Sequence, residues 1–116
     1  MIQVLLNIGD LSEEETCTTV VANTVSKFHQ LDVLVNSAGI LVTGSLEAMT
    51  LEDYDRQMNI NVRSVIQACK LAAPHLITTK GNIVNVSSVT GLRAVSSFLP
   101  VIDFPVSQVG CILRIT

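Results

Sequence analysis

Along this 116-residue chain, short apolar runs alternate with longer stretches in which apolar residues recur every three or four positions. The short runs, residues 2–8, 31–35 and 83–86, have the length of strands, and the longer stretches have the period of helices. Residues 2–8 mix β-branched and aliphatic side chains and stop at Gly9-Asp10, which predicts a strand feeding a turn. Ser12 with Glu15 three positions on has the form of a capping box, and Glu13, Glu14 and Glu15 put negative charge at a helix's positive end. Cys17, Val21, Val25 and Phe28 then fall on one helix face, with Lys27 and His29 in the last turn.

The run at 31–35 is almost continuously apolar and ends in Asn36-Ser37-Ala38-Gly39, as suits a parallel strand covered on both faces. Thr50 with Asp53 marks a second helix start. Its predicted core stripe is Leu51, Tyr54, Met58, Val62, Val65, Cys69, Ala72 and Leu76, with Arg56, Arg63, Gln67 and Lys70 on the other side. Pro74, which has no N–H to donate, should kink or nearly end that helix. Gly81-Asn82 is a turn, and residues 83–86 form a third strand running into Ser87-Ser88. Alternating strands and helices predict an α/β fold with a parallel sheet of about three strands and two main helices. From residue 94 the texture changes: Pro100, Pro105 and Gly110 interrupt an apolar tail with neither period. The expected division is therefore a domain over 1–93 and a divergent tail over 94–116.

Composition narrows the function classes. Seven basic against ten acidic residues give a net charge of -3, with no basic cluster and only 3% aromatics, which excludes a nucleic-acid surface. Mean hydropathy is high, at +0.51, yet polar residues or glycine break every apolar run before the ~20 residues a membrane span needs. Residues 1–10 lack the basic flank and cleavage site of a signal peptide, so the expected location is cytoplasmic. Cys17, Cys69 and Cys111 are widely spaced, and His29 and His75 are isolated. Reduced cysteines and no metal site are the expectation.

In open parallel α/β sheets, ligands sit outside the carboxyl ends of the strands. Three polar clusters fall there: Gly9-Asp10, Asn36 to Gly39, and Ser87-Ser88. Singly, each reads as local structure: Asp10 and Ser12 as turn and cap residues, Gly39 as a loop residue with positive φ, Ser87-Ser88 as a turn. No Gly-x-Ser-x-Gly elbow surrounds Ser88, which argues against a serine hydrolase. The sequon Asn85-Val86-Ser87 lies in a strand expected to be buried and is discounted as a glycosylation site.

The order of the clusters changes that judgement. Asp32-Val33-Leu34-Val35-Asn36-Ser37-Ala38-Gly39 resembles the strand and Asn-Asn-Ala-Gly motif of short-chain dehydrogenases/reductases, with Ser37 for the second Asn. Asn61-Val62-Arg63-Ser64 resembles the helix segment with that family's catalytic Asn, and Gly81 through Gly91 resembles its catalytic-Ser strand and turn. Gly9-Asp10 matches the end of the strand whose Asp contacts the cofactor adenine. Four motifs in order form a specific signal over residues 2–93.

The resemblance implies a partial Rossmann-type sheet and hydride transfer between NAD or NADP and a small-molecule carbonyl or alcohol. Carried over, Ser88 binds the substrate oxygen, Asn61 holds a relay water, and Asp10, Asn36, Ala38 and Gly39 line the adenosine side. Two family features have no counterpart. The Gly-rich phosphate turn would lie before Met1, and the only tyrosine, Tyr54, is followed four residues later by Met58 rather than Lys. Phe104-Pro105-Val106-Ser107-Gln108 has the frame of Tyr-x-x-x-Lys with neither reactive residue.

A family member truncated at both ends, with little or no activity of its own, is therefore expected. The alternative is a non-catalytic chain that associates with a full-length relative, or a second copy, through its long helix. Because the resemblance places two absent strands between residues 2–8 and the Val33 strand, the first segment should hang loose or pair in a non-family way.

Overall fold

The computed structural model describes residues 1–42 and 47–88, together with the backbone of a strand at 112–114. Helix α1 spans Glu14–Phe28, strand β1 Val33–Asn36, helix α2 Leu51–Met58 and helix α3 Ser64–Thr79. A π-helical turn at Asn59–Arg63 joins α2 to α3, and strands β2 (Asn82–Asn85) and β3 (Ile112–Arg114) follow. The strands form one sheet in the order β1-β2-β3.

The sheet is mixed. β1 and β2 are parallel, with Val33 opposite Asn82 and Asn36 opposite Asn85, while β3 runs antiparallel to β2. The predicted tail thus contributes an unforeseen strand, because three residues are too few to display a period of two. The predicted first strand does not form. Residues 2–8 have no strand partner and lie against α1, where Lys27 donates to the Val4 carbonyl at 3.0 Å and Asn23 to Asn7 at 2.8 Å. Ile2, Val4, Leu6 and Ile8 consequently remain exposed. An extended segment becomes a strand only when a neighbour pairs its backbone, and residues 2–8 pair with no strand of the β1-β2-β3 sheet.

Local signals explain the helices unevenly. At Thr50 the capping box forms in full: the Asp53 N–H donates to Thr50 Oγ1 at 3.1 Å, and Asp53 accepts from the Thr50 N–H. At α1 the expected box is absent. Glu13 is the cap residue and makes no side-chain cap bond, and the Ser12 N–H that the expected box would offer to Glu15 is taken by Asp10 Oδ1 at 2.8 Å in an Asx turn.

Pro74 does not end α3, which continues to Thr79. The carbonyl it leaves without a donor belongs to Lys70, an exposed residue whose backbone water can serve. The π turn shifts the predicted stripe. Upstream of α3 the buried positions are Gln57 and Asn61, then Ser64, while Met58, Val62 and Val65 are only half-buried.

The core lies between α3 and one face of the sheet. Ala72, Leu76 and Ile83 are buried, with Leu31, Leu34 and Cys69 packed around them. Val33 and Val35 point to the other face and are about half exposed, so β1 is not covered on both sides by the described residues. Helix α1 packs across α3, where the buried Cys17 thiol donates to the Ser64 carbonyl at 3.9 Å. Thr79 Oγ1 donates to the Leu31 carbonyl at 2.7 Å and fixes the end of α3 to the start of β1.

Candidate active site

Parallel pairing of β1 and β2 brings their carboxyl ends to the same edge of the molecule, and the segments 37–42 and 86–88 leave from there. Asn36 and Asn85, opposite each other in the register, also bond through their side chains. Asn36 Nδ2 donates to Asn85 Oδ1 at 2.7 Å and makes a longer contact, 3.5 Å, with Cys69 Sγ. The Val86 N–H donates to the Asn36 carbonyl at 2.9 Å, extending the ladder one residue beyond β2. Ser88 follows two residues later and is half-buried.

Asn61 reaches the same end from the π turn. Its Oδ1 accepts from the Ile40 N–H at 2.8 Å, and its Nδ2 donates to the Ile40 carbonyl at 2.9 Å, so one amide imitates a rung of β-sheet against the loop after β1. Its side chain is buried rather than solvated. Gln57, one helical turn earlier, accepts from the Val42 N–H at 2.9 Å and is 1% exposed. Gln57 lies off the predicted apolar stripe. Its spacing of four from Asn61 was the available signal.

A pocket of about 200 Å³ opens beside these residues, lined by Leu11, Cys17, Val20, Val21, Leu34, Val35, Asn36, Ser37, Ala38, Ser64, Val65 and Ala68. Its lining is mostly aliphatic, with side-chain polar groups from Asn36, Ser37 and Ser64. Leu11 contributes a wall from the turn that holds Asp10. The Asp10 carboxyl is held below its ordinary pKa, first by the hydrogen bond from the Ser12 backbone and, more weakly, by the positive field of Arg56. It is therefore an ionised acceptor at neutral pH. Burial pushes the Cys17 thiol up, and Glu14 adds to that shift, so Cys17 is an inert wall of the pocket.

Of the residues singled out from sequence, Asn36 and Ala38 line the pocket, and Asp10 adjoins it through Leu11. Asn61 is tied to it through Ile40, and Ser88 sits at the same end of the sheet. Gly39 is exposed and has no positive φ, so its predicted left-handed conformation is not adopted. Tyr54 lies on α2 at the rim of exposure. Thr90, Gly91 and the segment 104–108 fall outside the described residues.

Comparison with known proteins fits this geometry. The profile of the family described as short chain dehydrogenase matches residues 2–100. The chain belongs to that family. The match runs past residue 93, where the motif resemblance stops. Meso-2,3-butanediol dehydrogenase of Serratia marcescens is 36% identical over 83 residues, covering 72% of this chain and 33% of its own. The 3-beta-hydroxysteroid dehydrogenase of Comamonas testosteroni is 39% identical over 92 residues, covering 79% and 34%. Among solved structures, a short chain dehydrogenase from Burkholderia cenocepacia in complex with NADP superposes with a TM-score of 0.77 at 34% identity, over 86% of this chain and 40% of that one. The chain thus spans about a third of the length of the curated relatives it matches. Among the described residues, no helix is long and apolar enough to cross a membrane.

Proposed function

We propose that this chain carries the adenosine-binding wall and part of the catalytic centre of an NAD(P)-dependent oxidoreductase, acting between nicotinamide and a small carbonyl or alcohol. The observation that carries the reading is one mostly aliphatic pocket in which Leu11 and the polar stretch Asn36-Ser37-Ala38 share the lining. An adenine ring fits such a slot, with the ionised Asp10 carboxylate at its rim as acceptor for the exocyclic amine. The bound cofactor would supply the hydride chemistry. The residues of this chain bind and orient: Ser88 donates to the substrate oxygen, and Asn61 holds the 37–42 segment in place. Both ends of the Asn61 amide are engaged by Ile40, so its contribution to a proton relay comes from fixing that segment.

The phosphate side is weaker. Pyrophosphate recognition in such folds uses a Gly-rich turn at a helix N-terminus, and the six glycines of this chain include no such cluster. The single tyrosine lies on α2 without a following Lys, and general acid/base catalysis is typically worth ~10²–10⁴-fold. We therefore read the 116-residue chain as a binder of the adenosine half with little turnover of its own. Titration with NADH and NADPH, followed by an assay with a panel of small ketones and secondary alcohols, tests this. Weak binding without turnover is expected, and measurable turnover would overturn it.

A second reading, association with another chain through the long helix, draws on Ile66 and Ile77, which are 56% and 61% exposed. Of the predicted stripe, Met58, Val62 and Val65 are half-buried. Ala72 and Leu76 are consumed in the chain's own core.

A further inference from the structure

Gln57 is the residue of this site that neither the motif resemblance nor the apolar pattern assigns. It is almost wholly buried, its Oε1 accepts from the Val42 N–H at 2.9 Å, and its Nε2 has no hydrogen-bond partner among the described residues. Burying an unsatisfied amide hydrogen is costly, so a glutamine here needs a reason other than packing. Asn61 supplies it. Side chains at 57 and 61, four positions apart and both turned into the interior, meet alternate residues of the segment after β1: Asn61 meets Ile40 and Gln57 meets Val42.

We infer that Gln57 and Asn61 form a two-rung amide ladder that sets the position of the segment after β1, with Gln57 a positioning residue for the pocket wall at Ser37 and Ala38. The backbone of residues 40–42 is paired to the helix much as an edge strand pairs to a sheet, with side-chain amides standing in for a neighbouring backbone. An aliphatic side chain at 57 would fill the same volume and remove the orphan donor. It would leave the Val42 N–H without its acceptor and release the second rung. The inference rests on the proposed cofactor reading only for its consequence in binding. The ladder itself is independent of it.

The test is site-resolved amide hydrogen exchange on the full 116-residue chain. In the unaltered protein, the Ile40 and Val42 amides are expected to exchange slowly and that of Leu41, between the rungs, fast. In Gln57→Met, exchange at Val42 should accelerate about tenfold, as the loss of one structural hydrogen bond allows, while amides of α3 and β2 keep their rates. Gln57→Asn, which keeps the amide and shortens the reach, should behave like Gln57→Met. Equal exchange at Ile40, Leu41 and Val42 in the unaltered chain would overturn the ladder without any variant. So would an unchanged Val42 rate in Gln57→Met. AMP as the probe separates the two readings: a several-fold weaker affinity in Gln57→Met supports the positioning role, and undiminished AMP binding contradicts it. If AMP fails to bind the unaltered chain, the cofactor reading falls, and the exchange pattern still decides the ladder.

Discussion

Asn61 meets Ile40 through both ends of one amide, donating to its carbonyl and accepting from its N–H at under 3 Å each. A helix side chain thereby satisfies both backbone groups of a loop residue at the carboxyl end of the sheet. Replacing Asn61 with Leu leaves that donor and acceptor unpaired beneath a buried side chain. A loss of about 2–4 kcal/mol in unfolding free energy by urea denaturation is expected.

Gly81 is required by a close approach rather than by φ. A Cβ at this position would fall inside contact distance of the Asp32 carbonyl oxygen and of Leu76 in the core. Since the backbone oxygen cannot yield as a flexible side chain would, Gly81→Ala should cost about 1–3 kcal/mol, read from the same denaturation curves.

His29 closes α1 in the left-handed region, with φ at 62°, and its N–H bonds to the Val25 carbonyl. An L-residue is disfavoured there and glycine is not. His29→Gly should raise stability by about 0.5–1 kcal/mol, seen as a higher urea midpoint with an unchanged slope.

The Asp10 carboxyl, exposed but bonded to the Ser12 N–H, has its pKa lowered in the folded state. Its contribution to stability is therefore complete above the unfolded-chain value and is lost as pH falls through the folded one. Comparing Asp10→Asn with the unaltered chain checks the sign: any stability advantage of the aspartate at neutral pH should shrink on acidification. An advantage that grows in acid would contradict the lowered pKa of Asp10 in the folded chain.

Residue spacing made much of the fold legible. The Thr50 and Asp53 box, the Cys17 and Val21 face of α1, and the paired runs that became β1 and β2 all depend on neighbours within one helical turn or on short apolar runs. What escaped the sequence depends on partners far along the chain. Residues 2–8 have a strand's pattern and no strand to pair with, and 112–114 have a partner without a pattern. Within the candidate site, the type and order of residues pointed to Asn36, Asn61 and Ser88. Gln57 was hidden because a polar residue on a helix reads as solvated until the segment it bonds is in view. The π turn is equally silent in sequence, and it is what carries Asn61 into the interior.

The central claim is that Leu11, Ser37 and Ala38 form one adenosine-binding wall. Amide NMR titration of the chain with AMP tests it most directly. Saturable shifts that are largest at those three residues, and absent with ribose phosphate alone, are the expected result. Titration with no shift at Leu11, Ser37 and Ala38, or with the same shifts from ribose phosphate, would contradict it.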